Sequence, residues 1–415
     1  MHKRVIVNFL SLCFGTGSQI FIQIVSIPIF LKYLDLKSYS IWLISSNLAQ
    51  ITGILDIGTI TASQNRLAEM NESKQISQIS KRILSVFYLF TFNNLFVIIL
   101  VTLLLPKFNF GVPIVLVIYL LLNSYFQSLF GIIEACLRIE NKVSLGLNIG
   151  NFARIFEFLS TLAGLHFFGS NLTQIAQLIL IVKSFYFITC TIRIRKLLLT
   201  NITIQPIFND FKETLRDGYP FFLVKFSDTI SLSGSVLIIQ QHISAEMLVL
   251  FLSSRTFFRF SLQLANLVNF TIYYELSNAW SQKDSKAFLA WSRRNYLFTI
   301  TIISLVIPFE LKFGSTFFAK WTHDKLHISN SLLFAGILYA AVLTLSQSQK
   351  IPFHASNNNN LVSIVQLLGS FALLIALSLF GYFSRLPQIF YLLFSIELIN
   401  FIFIWKKSKN WNAFS

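Results

Sequence analysis

The chain has 415 residues, of which 54% are hydrophobic and 12% charged, with a mean hydropathy of +0.66 and a formal net charge of +16. A soluble domain carries about twice that charged fraction, so a water-soluble fold is excluded and an all-α polytopic membrane protein is indicated. No basic block is long enough to track nucleic acid, and the odd set Cys13, Cys136 and Cys190, without Cys-x-x-Cys or Cys/His spacing, argues against a disulfide framework or a metal site.

Windows of about 20 apolar residues predict twelve transmembrane helices. They lie near 7–31, 38–62, 83–105, 112–137, 143–167, 173–192, 216–242, 247–275, 295–311, 328–350, 359–383 and 387–405. The basic start "MHKR" runs into the first span without a small-residue cleavage site, so that span is expected to be retained. The ninth span is short. The outer loop after it, about 312–327, holds His323, Asp324 and His327, read as surface polar residues. "SNNNN" at 356–360 reads as a solvated turn, and Asp56 in "LDIG" as a capping or pairing residue near the inner interface.

Lys and Arg set the orientation. With a cytoplasmic N-terminus, 21 of the 33 bases fall in inside segments, Lys350 among them, 7 in outside segments and 5 in spans. That asymmetry predicts that both termini are cytoplasmic. A faint repeat relates "LDLKSYSIWLI" (34–44) to "ISAEMLVLFLS" (243–253), at an offset of about 209 residues. It predicts two pseudo-symmetric halves of six spans each, residues 1–200 and 201–415. Internal repeats in secondary transporters place the substrate site between such halves.

The five bases inside spans are Arg154, Lys183, Lys225, Arg255 and Arg259, and the acids noted there are Asp56, Glu134, Glu157, Asp228 and Glu397. A charge at bilayer depth is costly and marks a functional interior. Lys225 and Asp228 are three apart, about 60° around a helix, and so are Arg154 and Glu157. Two readings stand for these pairs: local ion pairs that glue helices, or a cationic lining tuned by Asp228 and Glu157. Lys183 either joins that lining or snorkels to the inner interface. Arg255 and Arg259 differ, being like charges four apart with no acid within a turn. A shared anion, or acids from other helices, would relieve their repulsion, and the guanidinium fork suits phosphate. Gln263 and Asn266 continue that stripe.

Several short motifs then resemble one family. They are Pro28 in the first span, "YLDLKSYSIW" (33–42), "LDIG" (55–58), "NRLAEM" (65–70) and "GYPFFLVKFSDTI" (218–230). The pattern is similar to the Wzx-type polysaccharide flippases of the MOP, MATE-like superfamily, with Asp35 and Ser40 standing where that family has Gly. The resemblance implies two six-helix bundles around a central cavity, in a bacterial cytoplasmic-membrane flippase without enzymatic activity or cofactor. Its substrate would be a polyprenyl-diphosphate-linked oligosaccharide such as an O-antigen unit of lipopolysaccharide. Alternating access, a proton or sodium gradient, membrane lipids and polysaccharide assembly proteins come with it. Lys225, Arg255 and Arg259 carry over by position to a cationic site, with Arg154 and Lys183 as further substrate-binding candidates. The rival readings are a MATE-like exporter of small molecules, whose cationic cargo calls for acids, and a polysaccharide polymerase, which calls for a large external loop.

Overall fold

The computed structural model describes residues 2–50, 76–108, 111–139, 142–198, 219, 222–356, 360–379 and 385–409. "LDIG", "NRLAEM", Asp56 and most of the "SNNNN" run lie outside the described residues. Among those described, every regular element is helical. The order is α1 (His2–Tyr33), α2 (Leu36–Gln50), α3 (Ile76–Leu104), α4 (Ile114–Ile139), α5 (Val143–Phe168) and α6 (Leu172–Leu198). Next comes α7 (Phe222–Ile239), which contains a π-helical turn at Ile230–Gly234. There follow α8 (Ala245–Phe258), α9 (Phe260–Ser281), α10 (Ser285–Trp321), α11 (Asn330–Ala355), α12 (Asn360–Leu379) and α13 (Leu386–Lys409).

Each predicted span has a helix at its position, and the chain is a multi-pass membrane protein. Nine described helices are long and apolar enough to cross a bilayer. The others fall short for readable reasons. α2 is described only to Gln50, and α5 is interrupted by Asn148, Asn151, Arg154 and Glu157. The predicted span at 247–275 is broken at Arg259 into α8 and α9.

Local sequence explains the helix starts. Asp35 stands before α2, with its carbonyl accepting from the Tyr39 amide at 3.0 Å. The N-caps Ser244, Asp284 and Ser329 accept from the amides of Met247, Ala287 and Leu332. Each satisfies a first-turn amide that has no helical partner.

Two predicted ends move. The ninth span does not stop at 311: α10 runs through Pro308 to Trp321, so the predicted outer loop shrinks to a turn in which His323 and Asp324 are exposed and left-handed. α11 likewise runs through Pro352 to Ala355, which takes Lys350 out of its predicted loop and buries it in a helix. A helical proline removes the amide that would bond the carbonyl four residues back. For Pro352 that carbonyl is Ser348, and Asn295 Nδ2 donates to it at 3.0 Å. For Pro28 it is Ile24, and Trp321 Nε1 donates to it at 3.0 Å. Both side chains that repair these gaps come from α10.

The described residues form two compact units, Met1–Ile22 with Tyr33–Thr229, and Gln23–Lys32 with Ile230–Ser415. The division falls inside α1 and α7, the first helix of each predicted half. In the first unit α5 lies close on α1: Asn151 Nδ2 donates to the Ser11 carbonyl at 3.1 Å, where a Cβ on Gly15 would meet Asn151 at 2.4 Å. Phe90 stacks on Tyr125, whose hydroxyl is 3.0 Å from Thr91 Oγ1, and Phe126 and Phe130 pack on Phe187. In the second unit Ser261 meets Thr344 at 3.2 Å and Thr299 donates to Ser348 Oγ at 2.7 Å, holding α9 and α10 to α11. Large apolar side chains such as Phe92, Phe167 and Phe185 remain exposed, as lipid-facing helix surfaces require.

Candidate functional site

The site in the second unit starts at the π turn of α7. A π turn dislocates the regular carbonyl ladder, and such turns recur at functional sites. Here Leu232 O accepts twice, from Ser235 Oγ at 3.1 Å and from Arg255 Nη1 at 3.2 Å. Ser231 Oγ, in the same turn, lies 2.7 Å from Ser370 Oγ on α12. The turn thus provides Arg255 with a neutral partner rather than a carboxylate.

Arg255 is 8% exposed, and its guanidinium lies 5.4 Å from the Phe251 ring centroid. That ring face is attractive to a cation. Phe251, Phe258 and Tyr339 all pack on Phe390, with centroids at 5.3, 5.5 and 6.0 Å. Arg259 is half-buried at the joint between α8 and α9, with φ −77° and ψ 7°. The two guanidiniums repel each other, and both act electrostatically on Tyr339. Among the described residues neither arginine has a carboxylate partner.

A glycine sets this geometry. A Cβ on Gly336 of α11 would fall 2.0 Å from the Phe258 ring. Only hydrogen at that position admits Phe258, which is fully buried. Phe258 immediately precedes the joint at Arg259, and Tyr339 lies one turn beyond Gly336 on the same helix face. The sequence gives no cue for this contact, since the two residues are far apart in the chain.

Behind the arginines, Glu397 of α13 acts on Tyr339 and lies 3.6 Å from the Lys350 ammonium. Lys350 is 1% exposed. Its burial corrects the assignment to an inside loop. Its pairing with Glu397 was legible only once the true length of α11 was known.

The first unit treats charge differently. Lys183 Nζ lies 2.6 Å from Glu157 Oε2, and Asn123 Nδ2 donates to Glu157 Oε1 at 3.4 Å. Lys183 is buried, so it does not snorkel. The expected Arg154–Glu157 pair is not formed; Glu157 is engaged from α6 and α4, while Arg154 is exposed. Lys183, 26 positions on and on another helix, takes the Glu157 carboxylate at 2.6 Å. Lys225 is half-buried and Asp228 exposed on α7, in the part of that helix that belongs to the first unit. The structure therefore brings Glu157 together with Lys183, and Arg255 together with Arg259.

One buried acid was absent from the sequence inventory. Glu310 of α10 is 3% exposed, and among the described residues its Oε1 has no hydrogen-bond partner. It lies inside the predicted span 295–311 but was not counted among the acids there.

No protein-family model matches the sequence, and no curated protein matches it; solved structures do. An inward-facing multidrug resistance MATE family transporter of the MOP superfamily superposes with a TM-score of 0.75 at 11% identity, covering 94% of this chain and 95% of that one. Lipid II flippase MurJ, in an inward closed conformation, superposes at 0.73 with 16% identity, covering 99% of this chain and 88% of that one. A MOP superfamily transporter from Pyrococcus furiosus, described as having a binding pocket of reverse polarity, superposes at 0.65 with 12% identity, covering 98% of this chain and 96% of that one. The chain has the fold of these MOP-superfamily transporters.

Proposed function

We propose that this chain is a flippase of the bacterial cytoplasmic membrane, of Wzx type, that moves polyprenyl-diphosphate-linked oligosaccharide units outward by alternating access. The observation that carries this reading is the Arg255–Arg259 couple. Two guanidiniums sit four residues apart, one of them buried, and among the described residues no carboxylate neutralises either. An anion with paired oxygens is the partner such a couple fits. A diphosphate cannot enter hydrocarbon without compensation, so the protein must replace its hydration shell. Lys225 adds positive charge to this role, with Asp228 tuning it. Arg154, exposed and among the described residues without a carboxylate partner, is a further candidate contact. Lys183 with Glu157 contributes a neutral pair to the first unit rather than a free cation. Both termini face the cytoplasm, and polysaccharide assembly proteins act with the flippase.

The test is made in cells lacking the gene. Lipid-linked oligosaccharide should accumulate on the cytoplasmic leaflet, as read by its accessibility to an added enzyme. Restoring the gene should clear it. Restoring the Arg255→Gln, Arg259→Gln form at equal membrane level should not. Normal surface polysaccharide in that variant ends the cationic-site reading.

The structural likeness to a MATE family multidrug transporter supports a second reading, export of a small molecule. The cargo charge separates the two. Efflux of a cationic dye that survives the double arginine substitution would favour the exporter.

A further inference from the structure

Glu310 has a chemistry that the arginine site does not explain. It sits in α10, eleven residues before Trp321, about 16 Å along the helix axis. Gly314, one turn on, shares its face; a Cβ there would meet Leu333 at 2.9 Å and Phe257 at 3.6 Å. Leu333 and Phe257 thus line that face of α10 one turn from Glu310. Glu310 is 3% exposed, and among the described residues its Oε1 has no hydrogen-bond partner.

The helices around α10 carry other titratable groups. They are Arg255 and Arg259 at the end of α8, Tyr273, Tyr274 and Glu275 on α9, and Tyr339, Lys350 and His354 on α11. Lys32 ends the α1 segment that Trp321 holds, and on α10 itself the Lys312 ammonium lies over Phe313 at 5.3 Å. An ionised carboxylate at Glu310 carries a desolvation cost of several kcal/mol, and a bound proton removes it. A metal ion would need several more oxygens, and among the described residues no cluster of three or more His, Cys, Asp or Glu exists.

We infer that Glu310 is a proton-binding site of the second unit, whose loading and unloading couples transport to a pH gradient. This deepens the flippase reading by naming the driving ion, and it rests on that reading only for the cargo. In one state the carboxyl is buried and holds its proton. In another state water reaches it and the proton leaves. The balance is one proton taken from one face and released to the other, with no bond to the substrate.

Infrared difference spectra of the purified protein in lipid, between mildly acidic and alkaline pH, read the protonated carboxyl directly. The expected result is a carboxylic-acid carbonyl band that titrates, is lost in Glu310→Gln and persists in Glu397→Gln. A titrating band unchanged by Glu310→Gln, or no titrating band at all, overturns the inference. Should the Gln variant fail to reach the membrane, dicyclohexylcarbodiimide, which modifies protonated carboxyls in apolar surroundings, is applied to the wild-type protein. An adduct mapped to Glu310 and lost at alkaline pH supports the site; labelling elsewhere without Glu310 refutes it. In reconstituted vesicles, Glu310→Gln should still equilibrate lipid-linked oligosaccharide but lose its response to an imposed pH gradient. Wild-type protein that moves no such lipid while keeping the Glu310-dependent band defeats the cargo reading and leaves the proton site standing. Wild-type protein that moves the lipid but lacks that band defeats the proton site alone.

Discussion

In the first unit a lysine and a glutamate 26 positions apart meet at 2.6 Å, with an asparagine closing the second carboxylate oxygen. In the second unit two arginines four positions apart share a helix end with a backbone carbonyl and a phenyl ring. The first arrangement is complete without any ligand. The second has a net charge that the described residues leave uncompensated. The contrast shows that a buried charge marks a binding site only after its partners are counted. A lysine at bilayer depth and an arginine at bilayer depth look alike in a hydropathy plot, yet here one belongs to a neutral pair and the other does not.

Substitutions sharpen that contrast. The largest effect on export falls on the unpaired couple: Arg255→Gln with Arg259→Gln should abolish it in the leaflet-accessibility assay, with little change in protein level. The paired site should show the reverse pattern. Lys183→Met leaves Glu157 without its counter-charge and should lower thermal stability in detergent. Glu157 is 36% exposed, so the loss belongs at the low end of the ~3–5 kcal/mol typical of broken buried pairs. Lys183→Met with Glu157→Gln should recover most of that loss. A double variant no more stable than the single one would mean that the pair is not what holds α5 to α6.

Gly336→Ala tests whether the arginine site depends on close packing. The added methyl meets the Phe258 ring, and overpacking of this kind costs about 1–3 kcal/mol. Export should fall further than thermal stability alone accounts for, because the joint at Arg259 moves with Phe258. Unaltered export would show that the α8–α9 break is set elsewhere.

The smallest effect is at Asp35, outside both sites. The Ser38 hydroxyl holds its carboxyl below the usual carboxylate range. A lowered folded-state value stabilises α2 above the unfolded value near 4, and that contribution fades as pH falls through the folded value. Asp35→Ala should therefore cost at most about 1 kcal/mol at neutral pH and nothing in strong acid, measured by thermal unfolding at both. A cost independent of pH would assign the effect to the helix cap rather than to charge.

Much of the fold was legible because lipid imposes length and apolarity on every span. The twelve windows each met a helix, including the short ninth. Two ends were misplaced: the predicted spans stop at 311 and 350, whereas α10 and α11 run on to Trp321 and Ala355. That shortening put Lys350 in a loop, whereas Glu310, inside the predicted span 295–311, was left out of the count of acids. The arginine couple was visible from spacing alone, since like charges four apart must share a helix face. Its aromatic walls and the π turn beneath Arg255 depend on contacts between distant residues, which no local window registers. The Arg154–Glu157 pairing failed for the same reason, because Lys183 approaches from another helix.

The two repaired prolines bind residues into a shared fate. Pro28 leaves the Ile24 carbonyl open and Trp321 closes it; Pro352 leaves Ser348 open and Asn295 closes it. Each proline is tolerable because a side chain far away in sequence supplies the missing donor, and each donor is needed because the proline is there. Replace Pro28 by alanine and the helix regains its own amide, so the indole of Trp321 becomes a competitor. The worth of either residue is thus undefined without the other, and a lineage that loses one changes the constraint on its counterpart.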